Sequence, residues 1–239
     1  MEEDWTEENS NEFIEYGDFF IPARSTQLKI ICKLLTSVQK LHKVVDLGCG
    51  EGKLCQAILE KFENTRIHGL DLSDKMLEKA RKNLKIYRER YYLQKFRLEA
   101  IDWRSSDLQA NAFVSSLAIH HLDREQKQSL FKDLFGLLSP GGILVIADII
   151  EPTQPISFDI ASGHWDDFIR EKSKENNNDI AHQKFLDGHW NYFEYPGEDP
   201  IDKPSSIISQ LKWLERSGFV KVDVFWMNAG HAIFGGWKE

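Results

Sequence analysis

The sequence predicts a doubly wound α/β fold. It combines a mostly parallel seven-stranded sheet and a C-terminal antiparallel hairpin with an N-terminal helical segment and an insertion after the fifth strand. Three observations predict it. From Lys43 to Ile150, short apolar runs alternate with amphipathic helical stretches, and that order calls for parallel strands joined by right-handed crossovers. The runs are apolar nearly throughout, as in strands covered on both faces. The last two runs, Phe219–Trp226 and His231–Trp237, alternate in character across the short connection Met227-Asn228-Ala229-Gly230, the spacing of a hairpin.

Taken in order, residues 1–23 are acidic and aromatic-rich, with Trp5, Phe13, Tyr16, Phe19 and Phe20. Leu28, Ile31, Leu34, Leu35 and Val38 recur at helical spacing and predict a helix from Ser25 to about His42. Lys43–Leu47 reads as the first strand, Lys53–Phe62 as a helix and Thr65–Leu70 as the second strand. Ser73 is placed to cap the next helix, whose inner stripe is Met76, Leu77, Ala80, Leu84 and Tyr87. Phe96–Ile101 is expected as the third strand and Ala112–Leu117 as the fourth. Asp123 and Gln126 have capping-box spacing, and Ser139-Pro140-Gly141-Gly142 stops the helix they begin, before a fifth strand at Ile143–Ile150. Residues 151–204 show no strand pattern; a helix over Ser206–Arg216, ended by Gly218, leads into the hairpin. The chain thus divides into a helical cap at 1–42, a ligand-binding core at 43–150, a substrate lid at 151–204 and a closing helix and hairpin at 205–239, within one domain of 239 residues.

Composition narrows the function. Hydrophobic residues make up 41%, enough for a large core, and no run approaches the roughly 18–20 apolar residues that span a bilayer. The acidic start Met1-Glu2-Glu3-Asp4 lacks the apolar stretch of a secretory signal. The three cysteines Cys32, Cys49 and Cys55 have no paired spacing, so reduced thiols and a cytoplasmic setting are expected. A net charge of −8 argues against a nucleic-acid partner, although Lys85, Arg88, Arg90, Lys95 and Arg97 make one local basic run.

The chemistry concentrates in Val44–Leu54. Gly48, Gly50 and Gly52 lie between a strand and a helix, at the carboxyl edge of the sheet where α/β folds bind ligands. Asp71 ends the next strand, where a carboxylate can accept both hydroxyls of a ribose, so the ligand contains a nucleoside. The spacing is not the GxGxxG of dinucleotide sites, and an anionic Asp46 beside a pyrophosphate would repel it; an ammonium and a sulfonium suit it better.

With its DxGxGxG run, Asp71 and the later SPGG turn, the chain resembles the class I S-adenosylmethionine-dependent methyltransferases over roughly residues 25–150. The resemblance implies S-adenosylmethionine as cofactor. Asp46 would anchor the methionine amine, and Gly48 and Gly50 would let the backbone pass beneath the ligand, with Cys49 between them in the cofactor-binding set. Asp71 would hold the ribose, Leu72 would pack on the adenine, and Asp102 with the Trp103 backbone would meet the adenine amino group. Leu117 would face the methionine moiety. Apart from the resemblance, Tyr16 and Arg24 near the first helix are candidate substrate-side residues placed to close over the cofactor's carboxylate. Ile101 stands where many relatives have glycine, which puts the register at Asp102 in question.

His120 and His121 follow the fourth strand and are the candidate base or acceptor-orienting groups. The insertion is rich in rings; His164, Trp165, Trp190 and Tyr192 are the candidate acceptor contacts, and the same rings would equally form a satellite core. No metal is expected, because His182 and His189 have no recognised ligand spacing. The expected reaction is methyl transfer to an oxygen or nitrogen of a small aromatic or apolar molecule. A tRNA or protein methyltransferase, a cofactor-binding partner subunit without activity and an NAD-dependent oxidoreductase are the alternatives.

Overall fold

The computed structural model describes residues 5–196 and 200–239; the acidic start Met1–Asp4 lies outside the described residues. Seven strands form one sheet in the order β3-β2-β1-β4-β5-β7-β6. They are β1 (Lys43–Leu47), β2 (Arg66–Asp71), β3 (Tyr91–Lys95), β4 (Ala110–Ser116), β5 (Leu138–Ile149), β6 (Val220–Asn228) and β7 (His231–Trp237). β1 pairs in parallel with both β2 and β4, so the chain reverses its direction of winding beside β1 and opens a crevice at the carboxyl ends of β1 and β4. β7 runs antiparallel between β5 and β6.

Helices cover both faces. On one, α2 (Arg24–Leu35), α3 (Lys53–Lys61) and α4 (Asp74–Leu84) bury Ile31, Leu35, Ile58, Leu59 and Leu77 against Val44, Val114 and Val145. On the other, α5 (Arg124–Leu137) and α8 (Ile207–Ser217) bury Leu130, Phe131, Leu134 and Leu214 against Val45, Phe113 and Ile146. Val44, Val45, Asp46 and Leu47 of β1 are therefore buried on both faces, which is why the strand reads as a mostly apolar run. Local signals hold where they were strongest. The Ser73 hydroxyl accepts from Met76 N–H, Asp123 and Gln126 complete a capping box, and Gly218 ends α8 in the left-handed region.

Three expectations are corrected. The third strand is Tyr91–Lys95, not Phe96–Ile101. As an edge strand paired only with β2 it is half-buried and carries polar residues, whereas Phe96 and Leu98 drew attention because they pack into the core beyond the strand's end. The helix expected to reach His42 stops at Leu35, where the Thr36 and Ser37 hydroxyls donate to the carbonyls of Lys33 and Leu34. SPGG does not lie between helix and strand but loops out within β5, between the pairs Ala110–Leu138 and Ala112–Ile143.

The region after β5 is helical: α6 (Pro155–Glu175) and α7 (Asp179–Asp187) fold with the N-terminal α1 (Glu7–Phe20) over the crevice. Phe20, Trp165, Ile169, Phe185 and Phe193 form their shared core, and the Trp165 indole N–H donates to the Phe20 carbonyl at 2.8 Å. The cover is thus made jointly by the two ends of the sequence that flank the core. Arg90, from the basic run, is spent on structure: its guanidinium donates to the carbonyls of Leu59, Phe62 and Glu63 at the end of α3.

Candidate active site

A cavity of about 370 Å³ lies under this cover, at the carboxyl edge of the sheet. Its floor is the glycine loop. Gly48 N–H and Cys49 N–H both donate to the Leu70 carbonyl, at 2.8 and 2.9 Å, which ties the loop to the end of β2. Gly48 has φ +71°, and a Cβ there would lie 2.3 Å from the Ala118 Cβ, so only glycine lets the loop and the turn after β4 meet.

Asp46 and Asp71 face the cavity from this floor, with Glu51 beside them in the lining. Asp71 accepts from Gly50 N–H at 2.7 Å and from Ser73 N–H at 3.0 Å, so its direction is set by backbone donors. Asp46 is 1% exposed. One of its oxygens accepts from the Cys55 thiol at 3.2 Å; the other is buried without a hydrogen-bond partner. Burial pushes the Asp46 carboxyl up to about 7, although the Cys55 thiol and the Arg24 guanidinium both favour its ionised form. A half-satisfied carboxylate in a dry wall is a receptor for a cation. Cys49 also lines the floor, as do Leu72 and Met76 beside Asp71.

The walls are β-edge residues and rings. Leu117 lines the cavity in the left-handed region at φ +56°, held by its N–H donating to the Ala147 carbonyl at 2.9 Å. A non-glycine residue in that conformation costs about 1–3 kcal/mol and persists where the surroundings over-determine it. Trp5 and Phe13 of the N-terminal segment meet Trp190, each at a centroid distance of 6.0 Å, and form a roof. Arg24 and Trp165 also reach the lining.

His120 and His121 also line the cavity, on the turn after β4, with ring centroids 4.1 Å apart. His120 Nδ1 is bound to one oxygen of Asp148, a buried acid of β5 whose other oxygen accepts from His120 N–H at 2.9 Å. Asp202 reaches both rings from the opposite side, 3.2 Å from His120 Nε2 and 3.1 Å from His121 Nδ1. Burial alone would lower the His120 pKa, but the two carboxylates outweigh it and hold the imidazole at about 10. Burial is likewise outweighed at Asp202, which the two rings keep well below the usual carboxylate range. The flanking carboxylates of Asp148 and Asp202 thus favour the protonated form of this ring.

Asp202 is positioned by its neighbours in sequence. Lys203 N–H donates to the His120 carbonyl at 2.9 Å, and Glu151 N–H to the Ser205 carbonyl at 3.2 Å. The buried Lys127 ammonium donates to the Lys203 carbonyl and the Ser205 hydroxyl. Nothing in the pattern of residues 151–204 marks Asp202. Asp148 does leave a signal, an acid inside the apolar run ILVIADII.

Five expected site residues lie outside the cavity lining. Asp102 is exposed, and Trp103 is buried edge-on against Phe96 at 5.2 Å. Because β3 ends at Lys95, the acidic residue that reaches the cavity beyond this strand is Glu99. Tyr16 stacks on Phe20 outside the cavity, His164 is exposed, and Tyr192 is buried in the core of the cover. His182 and His189 are not brought together as ligands: His182 pairs with Asp166 at 3.0 Å, and His189 stacks on Tyr195.

Comparison with known proteins agrees with the geometry. Residues 44–142 match the family described as a methyltransferase domain. The trans-aconitate 2-methyltransferase of Methylobacterium radiotolerans is 36% identical over 129 residues, covering 51% of this chain and 45% of that protein. The phosphoethanolamine N-methyltransferase of Plasmodium falciparum is 29% identical over 169 residues, covering 69% of this chain and 57% of that protein. The chain spans about half the length of the curated relatives it matches. An O-methyltransferase family protein of Burkholderia thailandensis shares the fold, with a TM-score of 0.64 at 14% identity over 90% of this chain and 57% of that one. The winding order, the glycine loop between Asp46 and Asp71 and the family match identify residues 44–142 as a methyltransferase domain of the class I, S-adenosylmethionine-dependent type.

Proposed function

We propose that this chain moves the methyl group of S-adenosylmethionine to an oxygen or nitrogen atom of a small aromatic or apolar molecule, by in-line displacement. The observation that carries the reading is the continuity of one cavity. It runs from Asp46 and Asp71 on the floor, under the rings of Trp5, Phe13 and Trp190, to the histidine pair.

In this reading the unpartnered oxygen of Asp46 receives the methionine ammonium, a charge-assisted hydrogen bond to a group already paid for in desolvation. Asp71 holds the ribose hydroxyls with its remaining lone pairs, Leu72 packs on the adenine, and Glu99 rather than Asp102 meets its amino group. Displacement at a sulfonium methyl needs alignment and exclusion of water, and a closed aromatic roof supplies both. The acceptor sits beyond the sulfur, against His120, His121 and Trp190. A net charge of −8 supports a small molecule over RNA, and three buried unpaired thiols support a reducing, cytoplasmic setting. Among the described residues no helix is long and apolar enough to cross a membrane.

Calorimetric titration with S-adenosylhomocysteine tests the donor half. Saturable binding that is lost in Asp71→Ala supports it; no binding by the wild-type chain overturns it. Transfer of labelled methyl to a panel of small hydroxy, carboxy and amino compounds tests the rest, beginning with trans-aconitate and phosphoethanolamine, the compounds named for the relatives. Tight donor binding with no transfer across a broad panel would favour a cofactor-binding partner subunit.

A further inference from the structure

His120, His121 and Asp202 have more order than acceptor packing requires. Their donor atoms, one from each side chain, lie within 4.8 Å of one another. The separations, 3.2 Å and 3.1 Å from Asp202 Oδ1 to the two ring nitrogens, are slightly under the roughly 3.3–3.6 Å between ligand atoms bound tetrahedrally at about 2.0–2.2 Å. The His121 Nδ1 is buried, and the Asp202 oxygen lies 3.1 Å from it. Behind the cluster, Asp148 takes Nδ1 of His120, which leaves Nε2 facing Asp202 and the cavity. A carboxylate that fixes the far nitrogen of an imidazole is the usual support of a metal-binding histidine.

We infer that His120 Nε2, His121 Nδ1 and Asp202 Oδ1 bind one divalent transition-metal ion of the zinc class at the acceptor end of the cavity, with its fourth position open to an oxygen of the acceptor. The inference rests on reading this cavity as the site of methyl transfer. Two imidazoles and a single carboxylate suit zinc, cobalt or iron(II), and are too poor in oxygen for magnesium or calcium. Three protein ligands with one open position are the arrangement of a catalytic rather than a structural metal site.

The consequence is a defined acceptor chemistry. A hydroxyl oxygen bound to the ion loses its proton to water at lower pH than in solution. That oxygen forms the new bond to the methyl carbon, the carbon–sulfur bond breaks, and the electron pair stays on sulfur, which leaves as a neutral thioether. The acceptor class is therefore a small molecule with a hydroxyl or carboxyl group able to reach the ion.

The test uses tag-free protein stripped with a chelator and then titrated with zinc by calorimetry and with cobalt(II) by visible absorption. The expected result is one ion per chain and the strong visible bands of a tetrahedral cobalt site. His121→Ala and Asp202→Asn should weaken binding more than 100-fold, and Asp148→Asn by about 10- to 100-fold. Circular dichroism and S-adenosylhomocysteine binding, both retained, show that the variants fold. No saturable ion binding, or binding that survives both His121→Ala and Asp202→Asn, overturns the metal site and leaves a proton-held ion-pair network. Failure of the wild-type chain to bind S-adenosylhomocysteine would instead overturn the methyl-transfer reading, whatever the ion does.

Discussion

Asp46→Asn separates the cost of a buried carboxyl from its use. The Asp46 carboxyl is raised from 3.8 to about 7 in the folded chain. A folded-state value above the unfolded one means that its contribution to stability is whole below about pH 3.8, is lost as pH rises towards 7, and stays lost above it. At about 1.36 kcal/mol per unit, a charged Asp46 at pH 8 costs up to about 4 kcal/mol relative to a neutral group. Asparagine keeps the shape and removes the charge, but it forgoes the Cys55 contact and brings an amide that must find its own partners. A net gain of about 1–3 kcal/mol is expected, or roughly 2–12 °C in melting temperature for a chain of this size. Ligand binding should move the other way: loss of a desolvated charge pair costs about 2–5 kcal/mol, a fall in S-adenosylhomocysteine affinity of about 30-fold or more. The assay is thermal unfolding at pH 8 and pH 5.5, with calorimetric titration alongside. At pH 5.5 the wild-type carboxyl is already protonated, so the stability difference should shrink. A variant destabilised equally at both pH values, with unchanged affinity, would refute the argument.

Other expected outcomes follow from single contacts. Gly48→Ala adds a methyl 2.3 Å from the Ala118 Cβ at a positive φ, and thermal unfolding should register a loss of about 2–4 kcal/mol; an unchanged melting temperature would refute the loop geometry. Glu99→Ala should weaken S-adenosylhomocysteine binding while Asp102→Ala leaves it unchanged; the reverse ranking in calorimetry would return the adenine contact to Asp102. Glu7 accepts from the Ser73 hydroxyl at 2.8 Å and Asp74 N–H at 2.9 Å, so it pins the covering helix α1 to the start of α4. Glu7→Ala should speed ligand release, measured by stopped-flow fluorescence of Trp5 and Trp190, and an unaltered release rate would show that α1 does not gate the cavity.

The sequence by itself determined the winding of the core and the position of the glycine loop between Asp46 and Asp71. Both follow from local physics: periodicity over Val44–Leu47, glycines where φ must be positive, and caps at Ser73 and Asp123 that need only residues three positions away. Local patterns weakened at the sheet's edge. β3, covered less than the central strands, shows a fainter signal than the loop that follows it, where Phe96 is buried, and the strand is therefore expected too far along the chain. Only the tertiary structure decided what stands at the acceptor end. His120 and His121 could be placed beyond β4 from their position in the chain. The proton or cation they hold depends on Asp148, 28 residues on, and on Asp202 beyond two helices. No local pattern encodes that meeting, because it is made by the pairing of Ile150 with Ser205 and the hydrogen bond from Lys203 to the His120 carbonyl. The roof has the same origin. Trp5 and Phe13 come from the N-terminal segment and Trp190 from the region after β5, and they share a cavity only because α1 and the α6–α7 cover bury their apolar faces against each other.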